Sequence, residues 1–163
     1  MAISTVPELI STHSPAGCVA PGQHREIIQG TATTTLLASQ SGALCIFTQA
    51  ATGGIFTLPA PVLGMTFDFV TLVSVTGADV NKVITNASTV FLTGGVAMAS
   101  LTAGANDFFE ANGTTHVAIT MGATTTGGLK GGRIRVTAIS ATQWHVEGIP
   151  VGSGTLADPF TTS

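Results

Sequence analysis

Eight carboxylates, four histidines and two cysteines are the side chains with which this sequence could do chemistry. An enzyme would pair two carboxylates as acid and base, set a nucleophile beside a base, or cluster ligands round a metal. The acids Glu8, Glu26, Asp68, Asp79, Asp107, Glu110, Glu147 and Asp158 are instead spread singly along the chain. Asp68 stands out because it interrupts the apolar run Phe67 to Val75. Buried, it would be a candidate general acid; a carboxylate satisfied by a partner, or exposed at an edge, is the simpler expectation. His13, His24, His116 and His145 lack H-x-H or H-x-x-x-H spacing. His116 and His145 fall on predicted strands and could meet across a sheet or on a three-fold axis, but surface or interface histidines are expected. Cys18 and Cys45 belong to no C-x-x-C pair, so free buried thiols are expected, with a disulfide or metal ligation as alternatives. Gly127-Gly128-Leu129-Lys130-Gly131-Gly132 matches neither phosphate-loop pattern and precedes a strand, so it reads as a turn. Arg133 and Arg135 share one strand face with nothing acidic near them in sequence; they pair across an interface or are solvated. No catalytic, cofactor-binding or metal-ligating residue is assigned, no cofactor is expected, and the chain reads as non-enzymatic.

Composition narrows the class. Charged residues make up 8% of the 163, against about a quarter in an ordinary soluble domain. Hydrophobic content is an ordinary 44%, and 27 threonines with 20 glycines stand where charge would be. Five basic residues and a net charge of −3 exclude a Lys/Arg stripe for nucleic acid. Disorder needs the opposite balance of low hydrophobicity and high charge. No apolar run reaches a membrane span, and the N-terminus lacks the basic and apolar regions of a secretion signal. So apolar a chain suits a surface covered by neighbours better than a monomer kept soluble by charge.

The elements that must position these residues are β-strands. Residues 1–34 carry Pro7, Pro15 and Pro21 and follow no period. They read as an extended N-terminal arm, with at most one short strand, that crosses a surface or a neighbouring subunit. Residues 35–154 form a predicted β-sandwich or jelly-roll-like domain, and 155–163 a C-terminal tail. Within the domain, Leu36–Ala38 and Ala43–Phe47 are short apolar runs, and a strand before Pro59 is followed by Met65–Thr76 with alternating faces. Lys82–Thr85 and Thr89–Leu92 read as a small hairpin, and residues 93–107 as a long loop. Asn112-Gly113 predicts a two-residue turn joining 108–111 to 114–121. Arg133–Ile139 and Gln143–Glu147 alternate, with Trp144 and Val146 inward. Eight to ten short strands with no amphipathic helix make the class all-β, and the lack of a fixed period disfavours a propeller or a regular β-helix.

Two stretches carry a resemblance. Thr57-Leu58-Pro59 followed by Gly64-Met65-Thr66-Phe67-Asp68-Phe69 resembles the T-L-P … G-x-x-F-x-F stretch of small phage virion proteins, and Lys82-Val83-Ile84-Thr85 follows in the expected order. Gly131 to Val136 and Gln143-Trp144-His145-Val146 are similar to their closing strand, turn and W-x-V. The likeness, over residues 53–154, is to capsid decoration (cement) proteins and to β-modules of tail fibres of tailed phages. It implies a homotrimer without catalytic residues that binds the major capsid protein on the outer surface of the virion, after assembly in the host cytoplasm. Neither nucleic acid nor membrane is an expected partner.

The alternative is a tail fibre or host-recognition module, which would want exposed aromatics. The chain has no Tyr and one Trp, so Trp144 is expected in the core. An ice-binding face would need threonines at two-residue spacing, whereas Thr33-Thr34-Thr35 and Thr124-Thr125-Thr126 are contiguous.

Overall fold

A computed structural model describes residues 24–30 and 32–163. In chain order the strands are β1 (Ile27–Gly30), β2 (Thr33–Thr35), β3 (Leu44–Phe47), β4 (Ile55–Thr57), β5 (Thr66–Thr71), β6 (Val80–Ile84) and β7 (Phe91–Ser100). They continue as β8 (Asp107–Asn112), β9 (Ala118–Gly122), β10 (Arg133–Ala138), β11 (Gln143–Ile149), β12 (Val151–Gly152) and β13 (Phe160–Thr161). Together they make an all-β sandwich. One sheet has eight strands in the order β1-β3-β5-β10-β11-β7-β12, with β8 also on β7; the other has five, β13-β9-β6-β4-β2.

The first six strands wind alternately through the two sheets. β1, β3 and β5 lie parallel in the large sheet, and β2, β4 and β6 parallel in the small one. Parallel neighbours need a long crossover, and here each crossover runs through the opposite sheet. The steps are unequal: Ile27 aligns with Leu44 and then Asp68, and Thr33 with Ile55 and then Lys82. No fixed sequence period arises from such a winding. These pairings also differ from a jelly roll, which is built from antiparallel Greek keys.

The two expected hairpins do not form. Strands β6 and β7 lie in different sheets, as do β8 and β9. At Asn112-Gly113, a two-residue hairpin turn of the I′ type needs positive φ at both positions. Only Gly113, at +74°, adopts it, since none of the non-glycine residues described has positive φ. The Asn112 Oδ1 instead accepts the N–H groups of Thr114, Thr115 and His116, folding a corner that carries the chain to the other sheet. Residues 93–107 are largely strand, because β7 runs on to Ser100. Its glycines are required there: a Cβ on Gly95 would sit 2.6 Å from the Phe108 ring and from the Phe109 carbonyl oxygen.

At the start of the domain the run Leu36–Ala38 is not a strand. Leu36 is buried, but Ala38–Gln40 forms a 3-10 turn whose Gln40 Oε1 accepts the Leu37 N–H at 2.9 Å. The β-branched Thr33–Thr35 takes the strand instead, as its χ1 restriction favours. The described part of the expected arm therefore joins the sandwich, as β1 at the edge of one sheet and β2 at the edge of the other. The rest of the arm, residues 1–23, lies outside the described residues.

Between the sheets sits a core of phenylalanines. Phe56 from β4 meets Phe47 of β3 edge-on at 5.1 Å and Phe69 of β5 at 5.4 Å. Trp144 is fully buried against Phe67, with ring centroids 6.0 Å apart, which fixes it as core. Inward Phe67 and Phe69 leave Asp68 on the outer face of the large sheet.

Candidate functional site

Asp68 is where all three arginines of the chain converge. Its side chain is 2% exposed, and what covers it is guanidinium. The register brings this about. Asp68 and Arg135 are Cα partners across the antiparallel β5–β10 pair, and Arg133 lies two residues along the same face. Arg25 arrives from the other side, two residues before β1, whose Ile27 aligns with Leu44 and so with Asp68.

The carboxylate accepts four hydrogen bonds, which fills its lone-pair sites. Arg135 is side-on, Nε to Oδ1 at 3.0 Å and Nη2 to Oδ2 at 3.1 Å. The Arg133 Nη2 donates to Oδ1 at 3.0 Å, and the Arg25 Nη1 reaches Oδ2 at 2.7 Å. Arg25 is further pinned by donating to the carbonyls of Gly42 (2.6 Å) and Ala43 (3.0 Å). Burial pushes the Asp68 pKa up, but the hydrogen bonds from Arg135, Arg25 and Arg133 outweigh it and hold the group at about 2. In turn, the hydrogen bond to Asp68 raises the Arg135 pKa above its ordinary value. General-acid work needs a carboxyl that keeps its proton near the operating pH. Asp68 is ionised and locked, so it cannot supply one.

A concavity of about 630 Å³ opens beside the cluster on the outer face of the large sheet, lined by Asp68, Arg133, Arg135, Glu147, Ile149 and Val151 among others. In one row across that face stand Leu44, Asp68, Arg135, Glu147, Gly95 and Glu110. Asp68 and Glu147 are thus on one site, but Arg135 separates them.

The remaining candidates are not drawn in. His116 stacks on Phe160 at 5.7 Å, and its Nδ1 accepts the Asn112 N–H. His145 stands in β11 opposite Thr93 and Thr137. The Oδ1 atoms of Asp107 and Asp158 accept nearby backbone N–H groups, and Glu26 accepts from Gln40. Among the described residues no group of three His, Cys, Asp or Glu could hold a metal. The Gly127–Gly132 turn uses its amides within the protein, Gly128 on the Gly122 carbonyl, Gly131 on that of Thr71, Gly132 on that of Leu129 and Lys130 on the Ser74 hydroxyl oxygen. No helix among the described residues is long and apolar enough to cross a membrane. His13, Glu8 and Cys18 lie outside the described residues.

Cys45 is a free thiol, fully buried behind this sheet. Burial pushes its pKa up to about 12; Arg25 pulls it down, while Glu26 and Asp68 add to the rise. Only the thiolate is a good nucleophile. In a Cys18→Ser variant, then, Ellman's reagent should leave the native protein unmodified at pH 8 and titrate one thiol in guanidinium chloride. Rapid native reaction would contradict the burial.

Arg25 is the member of the cluster that sequence reasoning missed, because it was assigned to the arm. The readable signal was the pair Arg133-x-Arg135 on one face of a strand. Its partner Asp68 lies far away in sequence, and only the register joins them.

No protein-family model matches the sequence, and comparisons with curated proteins and with solved structures found no match.

Proposed function

We propose that the chain is a non-enzymatic structural protein of a phage virion, a capsid decoration (cement) protein that binds and stabilises the head as a homotrimer. The observation that carries this reading is the outer face of the large sheet. Large apolar side chains stand out from ordered strands there: Phe108 64% exposed, Ile149 58% and Ile27 56%. An apolar surface held on rigid strands, with few charges elsewhere to keep a monomer dispersed, is what a partner or a second copy would cover. The charge cluster at Asp68 supports the same reading, because Asp68 is committed to holding arginines and has no capacity left for proton transfer.

The arm enters as the segment that reaches the major capsid protein, adding to an exposed edge as a peptide strand does. Deleting residues 1–23 keeps Arg25 and β1, so the truncated protein should still unfold cooperatively in urea yet no longer pellet with phage heads. Head binding as strong as that of the full chain would remove the arm from the reading. A tail-fibre or host-recognition module is the second reading, favoured by the parallel winding that leaves β1 and β2 as sheet edges onto which a further coil could stack. Immuno-gold labelling separates the two: label over the heads supports decoration, label at the tail tip supports the fibre.

A further inference from the structure

We propose that Arg133 and Arg135 form a receptor for a single carboxylate, presented by an acidic side chain on an extended segment of a partner chain. A guanidinium has five N–H donors. Among the described residues, Arg133 uses one and Arg135 two, all on Asp68. The others belong to side chains 56% and 45% exposed, beside the 630 Å³ concavity. Asp68 accordingly acts as a brace. It holds two long cationic side chains in fixed positions, so an incoming anion does not have to bear the cost of ordering them. Its single charge is outnumbered by the three arginines it binds, which leaves the cluster itself cationic.

The walls select among anions. Glu147 lines the same concavity next to Arg135 in the strand register, so three arginines against Asp68 and Glu147 leave one net positive charge, which a carboxylate neutralises and a doubly charged phosphate exceeds. Ile149 and Val151 add an apolar wall suited to the methylene stem of a Glu or Asp side chain. A planar carboxylate also matches the guanidinium fork. The concavity lies open on a sheet face, where an extended segment can lie across it. That the partner is the capsid shell rests on the reading above; the carboxylate specificity does not.

Three arginines give three Nε–H signals in a nitrogen-15 spectrum, which makes the site directly observable. Full-length protein is titrated with Ac-Ala-Glu-Ala-NH₂, with Ac-Ala-Gln-Ala-NH₂ and with inorganic phosphate. The expected result is a saturable shift of the Arg133 and Arg135 signals by the Glu peptide, with Arg25 little affected. Arg133→Gln, which leaves Asp68 paired with Arg25 and Arg135, should weaken that response about tenfold. Equal shifts with the Gln peptide, tighter binding of phosphate, or an undiminished response in folded Arg133→Gln would each overturn the proposal. The wild-type titrations carry the test even if the variant does not fold. Head binding without a peptide response sinks this site and leaves the virion reading standing. A peptide response without head binding supports the site and sinks the virion reading.

Discussion

Replacing Asp68 by alanine should destabilise the fold by about 3 kcal/mol at neutral pH, measured by urea denaturation. Removing one partner of a buried ionic cluster leaves the others uncompensated, and here three arginines would face one another. The value sits at the low end for buried pairs because Arg133 and Arg135 are about half exposed and can turn to water. Acid gives an independent check of sign. Asp68 has a folded pKa of about 2, below its ordinary 3.8. A depressed carboxylate contributes stability that is fully present above the unfolded pKa and is lost as pH falls through the folded one. The gap between wild type and Asp68→Ala should therefore be constant above about pH 5 and close as the pH approaches 2. A gap that stays open at pH 2 would mean that the carboxylate's charge is not what matters.

Replacing Phe56 by alanine should cost about 4 kcal/mol, the larger of the two effects. Phe56 is the small sheet's contribution to a cluster with Phe47 and Phe69 of the large one, and it is fully buried. Its ring also fills the space at Gly30, where a Cβ would come within 2.7 Å of it. Deleting it removes transfer energy, leaves a cavity between the sheets, and loses the edge-on contact with Phe47. The urea midpoint should fall with the slope of the transition unchanged, as expected when only stability is altered. A loss under about 1 kcal/mol would show that the two sheets are not held together at this point.

Legibility in the sequence divides by distance along the chain. Alternation in β5, β10 and β11 placed Phe67, Phe69, Trp144 and Val146 inward, because period-two patterning is a local property. The all-β class and the turn at Gly127–Gly132 are equally plain in the sequence. Partners were not. A parallel pair such as β1 and β3 leaves no turn signal between its members, since the chain visits the other sheet before returning. The hairpin readings at Asn86–Ser88 and Asn112-Gly113 assumed that successive strands pair, and in this winding they change sheets. Gly94 and Gly95 disguised the middle of β7 as loop, although their missing side chains are what let β8 and β11 approach. The site suffered in the same way. Asp68 stands out by its apolar neighbours and Arg133 and Arg135 by their shared face, but nothing in the sequence joins them. Arg25 reads as polar arm in the sequence, and in the structure it closes the cluster.

Three of the chain's five basic residues meet at a single carboxylate, so the rest of the surface is poorer in positive charge than the composition alone implies. Exposed Phe108, Ile149 and Ile27 stand on the same outer face as the half-exposed Arg133 and Arg135 and as Glu147 and Glu110, so the apolar side chains there are interspersed with charge. On the proposed reading, this face and the arm serve assembly on a virion. Light scattering of the 163-residue chain, followed by gradient co-sedimentation with purified phage heads, reads assembly and head binding together. The expected result is a trimer that travels with the heads; a monomer that stays at the top of the gradient would contradict it.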